Sequence, residues 1–215
     1  MRGPLRQGSG GQGSGDNRGG FSLYVPESYD AAKAYPLIFS LHGGSGNGRA
    51  HLWSWMRAAR SHEAILVSPT ARGQTWALQG QDIDTPNLLS MLSYVRERWN
   101  IDEAHLLMTG MSDGGTFTYL SGLQAVPFTH LAPIAASFHP MLLEFFEAER
   151  IKDLPIHITH GRLDWMFPAI SARNMALSLT QMDANVVYRE IADLSHTYPD
   201  ANENAEVMQW FLGEG

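Results

Sequence analysis

Gly110-Met111-Ser112-Asp113-Gly114 follows an apolar run, Ala104-His105-Leu106-Leu107-Met108-Thr109, and precedes a helical stretch from Gly115 to Leu123. A Gly-x-Ser-x-Gly between a strand and a helix is the pattern of a nucleophile elbow. Small residues flank the serine because the turn is tight and the helix after it packs close. The serine then sits at the tip in a strained backbone state, its hydroxyl pushed clear of the sheet. Glycine and serine are common, so the pentapeptide alone carries little. It becomes a candidate nucleophile when a base, an acid and donors for an oxyanion stand near it.

Outward from this stretch, short apolar runs alternate with amphipathic patterns. Strands are expected at Phe21 to Val25, Pro36 to Leu41, Ala64 to Ser68, His130 to Ala135, Pro155 to Thr159 and Val186 to Ile191. Helices are expected at His51 to Arg60, Met141 to Arg150, Ala169 to Met182 and Glu203 to Phe211. Thr85-Pro86 opens another, with threonine as N-cap and proline at the first helical position. Leu88, Leu89, Leu92 and Val95 form its apolar stripe. Strands this apolar need cover on both faces, so the alternation predicts a mostly parallel, twisted sheet in a three-layer α/β domain. Connections are short apart from Thr70 to Asp84, and no large lid is expected. In such sheets the loops at the carboxyl ends of the strands build the site. The partners of Ser112 should therefore follow other strands.

A chain of 215 residues, 44% of them hydrophobic, suits one domain with a full core. No run approaches the roughly 18 apolar residues of a membrane span. A net charge of −7 argues against nucleic acid as a partner. The absence of cysteine excludes disulfides, thiolate metal sites and a cysteine nucleophile, and fits a reducing, cytoplasmic compartment. Residues 1–20 are rich in Gly, Ser, Gln and Arg, with almost nothing apolar to bury. They read as a flexible tail without the apolar core of a secretory signal, with the folded domain spanning 21–215.

Three loops supply partners for the serine. His42-Gly43-Gly44-Ser45-Gly46 follows the strand ending at Leu41 and can aim backbone N–H groups at a developing oxyanion. It lacks the Gly-Lys-Ser/Thr ending of a phosphate-binding loop. Gly44 N–H and Asp113 N–H are the expected donors, with the Asp113 carboxylate a bystander. Asp164, in His160-Gly161-Arg162-Leu163-Asp164, follows the strand ending at Thr159 and can hold an imidazole in the correct tautomer. His196, in Ser195-His196-Thr197-Tyr198-Pro199, follows the strand ending at Ile191 and is the candidate base. His139 is its strongest rival, because it also follows a strand, and it is a candidate for the pocket wall. His42 and His160 precede glycines and are expected to brace their turns. His157, His160 and Asp164 make a poor metal site, since strand positions three apart point to opposite faces. Trp53, Trp55, Trp76 and Trp165 fall near the site, and Trp76 and Trp165 are the best pocket candidates among them.

The order Ser112, Asp164, His196, with a His-Gly-Gly loop upstream, resembles the α/β-hydrolase superfamily. Within it the chain resembles the small lidless esterases of the phospholipase/carboxylesterase and polyhydroxybutyrate-depolymerase-like groups. The resemblance runs from about Phe21 to the C-terminus. It implies a serine carboxylesterase acting on a small-molecule ester through an acyl-enzyme, without cofactor or metal. A peptidase, thioesterase or acyltransferase on the same scaffold is the alternative, and a non-catalytic binding protein a more distant one. Two departures stand out. The family carries one or two more antiparallel strands before Pro36, where this chain offers only Phe21 to Val25. Its secreted depolymerase and feruloyl-esterase members carry a signal peptide and cysteines, which sets this chain apart from them.

Overall fold

The computed structural model describes residues 6–8 and 18–214. Its eight strands are β1 (Arg6–Gly8), β2 (Phe21–Tyr24), β3 (Tyr35–Leu41), β4 (Ile65–Pro69), β5 (Ile101–Met111), β6 (His130–Ile134), β7 (Pro155–Gly161) and β8 (Asn185–Ile191). They form one sheet in the order β1-β2-β4-β3-β5-β6-β7-β8. The β1–β2 and β2–β4 pairs are antiparallel and all others parallel. The helices are α1 (Gly48–Ser61), α2 (Thr85–Arg96), α3 (Asp113–Gly122), α4 (Ala148–Ile151), α5 (Ala169–Gln181) and α6 (Ala201–Leu212).

The apolar strands are buried on both faces, as their composition requires. Ile38, Leu66 and Leu107 pack with Leu52 and Trp55 of α1 and Met208 and Phe211 of α6. Their neighbours Leu37, Phe39, Val67, Leu106 and Met108 face the other way, against α2, α3 and α5. The outer strand β8 alternates between exposed and half-buried residues. Its edge carries Arg189 and Glu190, paired to Glu203 and Arg173, which discourages strand addition.

The second outer strand missing from the sequence reading is β1, which lies inside the expected tail and pairs Arg6 with Leu23. Chain order also begins before Phe21. Gly19 N–H donates to Thr70 O at 3.1 Å, and Gly20 O accepts from Thr70 N–H at 2.7 Å. The rest of the expected tail, 1–5 and 9–17, lies outside the described residues.

Two helix expectations are corrected. Thr85 is not the N-cap of α2; Asp84 is, and its buried carboxylate turns away to accept from Arg72 N–H and Ala77 N–H. Asp82 Oδ1 takes the amides of Asp84 and Thr85 instead. The stretch read as one helix from Met141 to Arg150 is a 3-10 segment, Pro140–Phe145, then the single turn α4. Met141 and Phe145 are exposed, so no apolar stripe spans the two pieces.

Beneath α6 the sheet carries a histidine layer. The His130 ring meets Phe211 edge-on at 5.0 Å and Trp210 at 5.3 Å, and His157 lies 5.3 Å from Trp210. Burial, with His105 adding to it, pushes the His130 pKa down to about 4, and burial lowers His157 too. Both are held neutral in the fold, whereas an unfolded histidine titrates near 6.5. Their contribution to stability is therefore complete above that value and is lost as pH falls through the folded one. Urea midpoints are expected to fall between about pH 7 and about pH 4.5. His130→Phe keeps a ring against Trp210 and Phe211 and is expected to shrink that fall. An equal fall in the variant would exclude His130 as a cause.

Candidate active site

Ser112 joins β5 to α3 with φ 55° and ψ −118°, a region that L-residues rarely occupy. The turn is held by Ser112 N–H donating to Ile134 O (2.9 Å) and Ser112 O accepting from Thr116 N–H (2.8 Å). It closes only because its flanks lack side chains. A Cβ on Gly114 would lie 2.4 Å from Leu41 O, and one on Gly110 would lie 2.5 Å from Gly114 C. The α3 helix thus sits directly against the ends of β3 and β5.

Ser112 Oγ lies 3.0 Å from His196 Nε2, and His196 Nδ1 lies 2.8 Å from Asp164 Oδ2. The Asp164 side chain is 0% exposed, so its oxygens depend on protein donors. Oδ1 accepts from Met166 N–H (2.9 Å) and Phe167 N–H (2.7 Å). That leaves Oδ2 for His196 Nδ1–H, and this tautomer presents Nε2 to the serine hydroxyl as an acceptor. The loop is braced by His160, whose Nε2 lies 2.8 Å from Phe167 O.

The glycine loop after β3 is fixed by His42. Its Nε2 accepts from Ala71 N–H (3.1 Å), so Nδ1 carries the proton and donates to Gly43 O at 2.6 Å. Burial lowers the pKa of this imidazole and favours the neutral form that both contacts need. Gly46 N–H donates to the same carbonyl at 3.1 Å. Gly43 C=O and Gly44 N–H belong to one planar trans peptide and point in opposite directions. Anchoring the carbonyl therefore sets the direction of the Gly44 N–H. The Asp113 carboxylate, read as a bystander, has a structural task. It accepts from Thr75 Oγ at 2.5 Å, tying the Thr70–Asp84 loop to the elbow. A Cβ on Gly44 would lie 2.8 Å from that carboxylate and would push it aside.

The pocket candidates separate. Trp76 is a core residue at 2% exposure, stacked on Phe117 at 5.3 Å and donating its indole N–H to His42 O. Trp55 is fully buried in α1, and Trp53 is exposed on the same helix. His139 caps the 3-10 segment, its Nδ1 accepting from Met141 N–H at 3.2 Å; the contact to Ser112 belongs to His196. Trp165 is exposed and stands 6.2 Å from the His196 ring. Phe167, which the sequence reading missed, meets that ring edge-on at 5.0 Å. Its only signal was its place three residues after Asp164. Among the described residues no group of three His, Asp or Glu could hold a metal, and no helix is long and apolar enough to cross a membrane.

The sheet order, the serine elbow and the helices on both faces define an α/β-hydrolase fold, without a large lid. A solved thermostable esterase superposes with a TM-score of 0.71 at 22% identity, covering 90% of this chain and 58% of that one. In sequence, 106 residues are 33% identical to a probable feruloyl esterase C of Aspergillus terreus, spanning 46% of this chain and 39% of that protein. A longer match, 27% over 198 residues, covers 89% of this chain and 28% of the bifunctional acetylxylan esterase/xylanase XynS20E of Neocallimastix patriciarum. No protein-family model matches the chain. The chain thus has the α/β-hydrolase fold, and the proteins it resembles include esterases, a dipeptidyl-peptidase 5 of Aspergillus fumigatus and an acyl-protein thioesterase of Zea mays. The similarity to a feruloyl esterase C runs against the separation from that group expected from the sequence.

Proposed function

We propose that this chain is a serine hydrolase that cleaves carboxylic esters of small molecules, carried by the domain from about Phe21 onward. The observation behind the reading is the pair of contacts from Ser112 Oγ to His196 Nε2 and from His196 Nδ1 to Asp164 Oδ2, at 3.0 and 2.8 Å, around a serine in a strained elbow. Ser112 Oγ attacks the ester carbonyl carbon while His196 Nε2 takes its proton. Asp164 stabilises the imidazolium, and the N–H groups of Gly44 and Asp113 hold the oxyanion. The carbon–oxygen bond to the alcohol then breaks, and His196 returns the proton to the leaving alkoxide. Water, deprotonated by His196, attacks the acyl-serine. The acid leaves and Ser112 recovers its proton. Every group used is a side chain or backbone amide of this chain, so the reaction draws on no cofactor.

The feruloyl and acetylxylan esterases among the similar proteins favour an ester substrate, and the peptidase and thioesterase among them make amides and thioesters the competing classes. The test is a leaving-group panel of matched p-nitrophenyl ester, p-nitroanilide and thioester substrates. Ester turnover is expected to exceed amide turnover by more than a hundredfold. Comparable rates on ester and amide would make the protein a peptidase instead. Failure of a fluorophosphonate to label Ser112 would favour a non-catalytic binding role.

A further inference from the structure

Gly44 and Asp113, the two expected oxyanion donors, belong to different elements. One lies in the loop after β3, the other in the first turn of α3. Local backbone geometry therefore does not fix their separation. The two segments meet at the elbow, where a Cβ on Gly43 would lie 3.7 Å from Ser112 Cβ. A third segment, the Thr70–Asp84 loop between β4 and α2, grips both of them.

That loop is itself pinned. The Asp84 carboxylate, 1% exposed, accepts from Arg72 N–H at 2.9 Å and Ala77 N–H at 2.8 Å and closes the chain between them. On the β3 side, Ala71 N–H donates to His42 Nε2 at 3.1 Å and the Trp76 indole N–H to His42 O at 2.7 Å. On the α3 side, the Trp76 ring stacks on Phe117 at 5.3 Å, while it also lies 4.9 Å from the His42 ring. Thr75, the residue before it, makes the last contact. An ionised carboxylate only accepts, so the Thr75 hydroxyl donates to Asp113 Oδ2, at 2.5 Å. The same Oδ2 is the atom that a Cβ on Gly44 would meet at 2.8 Å. The carboxylate thus takes the space beside Gly44 that a side chain would fill. Asp113 spans both donors: its backbone carries one N–H, and the far end of its side chain abuts the residue that carries the other. Among the described residues no second group donates to that carboxylate. Without the Thr75 hydroxyl, the half-buried carboxylate gains by turning to water, and Gly44 loses its support.

We propose that Thr75 is a positioning residue of the acyl-transfer site: by holding the Asp113 carboxylate against Gly44, it sets the spacing of the two oxyanion N–H groups. The assignment rests on the acyl-transfer reading of Ser112.

The experiment measures kcat and KM for p-nitrophenyl acetate, with kcat counted per site titrated by a fluorophosphonate, so that unfolded protein does not enter. Thr75→Val exchanges the hydroxyl for a methyl group of similar size. It is expected to lower kcat by at least about tenfold and to change KM by less than about twofold, because the oxyanion forms only in the transition state. Thr75→Ala loses the same hydroxyl and is expected to match it. Thr75→Ser keeps the hydroxyl and is expected to stay within about threefold of wild type. A trifluoromethyl ketone gives a second readout. Ser112 Oγ bonds to its carbonyl carbon, the carbonyl electron pair moves to the oxygen as an oxyanion, and His196 holds the serine proton. Its inhibition constant is expected to rise in Thr75→Val by the factor that kcat falls. A smaller loss of kcat, a change confined to KM, an unchanged inhibition constant, or a Thr75→Ser as impaired as Thr75→Val each overturns the assignment and leaves the esterase reading intact. A wild type that neither hydrolyses the ester nor takes the fluorophosphonate overturns the acyl-transfer reading, and this assignment with it.

Discussion

Ser112→Ala is expected to lower kcat on a p-nitrophenyl ester by on the order of a millionfold, with the fold kept. The substitution deletes the one oxygen aligned with His196 Nε2 and adds nothing to the crowded elbow. Its methyl group occupies the space of the serine Cβ, and the φ of 55° is already borne by a non-glycine residue. What survives is the rate that the bound geometry and the oxyanion donors give to water, roughly a thousand- to ten-thousandfold above solution. Labelling by a fluorophosphonate should vanish in parallel. Turnover at roughly a tenth of wild type would remove Ser112 as the nucleophile.

Asp164→Asn is expected to cost on the order of ten-thousandfold in kcat with little loss of stability. The backbone dictates the outcome. Met166 N–H and Phe167 N–H both donate to Oδ1, so an asparagine will place its carbonyl oxygen there and keep both bonds. Its NH2 group then faces His196 Nδ1, which must accept rather than donate. The imidazole proton moves to Nε2, where it blocks the removal of the serine proton. Nitrogen-15 spectra of His196 should report that change of tautomer directly. A kcat within tenfold of wild type, or an unchanged tautomer, would show that Asp164 does not set the state of the base.

Much of this site could be read from order and spacing. Gly44, Ser112, Asp164 and His196 each follow a short apolar run, and a parallel sheet delivers the ends of such runs to one edge. The errors have one physical character. Trp76 looked like a pocket wall because its loop lies near the site, but an indole buries more surface than any other side chain, and its N–H found the His42 carbonyl. His51 opens an expected helix, yet its ring packs against Tyr198, 147 positions further along the chain. Thr85 had the residue type of a cap, but Asp84 takes the position and Asp82 the amides. A glycine-rich segment with nothing to bury still supplies β1, because pairing at a sheet edge uses backbone groups that every residue carries.

By itself the sequence determined the layer architecture, the identity of the displayed serine and the three strand ends that face it. Those features depend on hydrophobic period and on glycine at points where an added Cβ would come within about 2.5 Å of neighbouring backbone, and both are written locally in the chain. Only the tertiary structure decided tautomers, donors and walls. It set which oxygen of Asp164 meets His196, which way the Gly44 amide points, and which aromatic ring stands by the base. Those choices are made by contacts between residues up to 84 positions apart, and no local pattern records them.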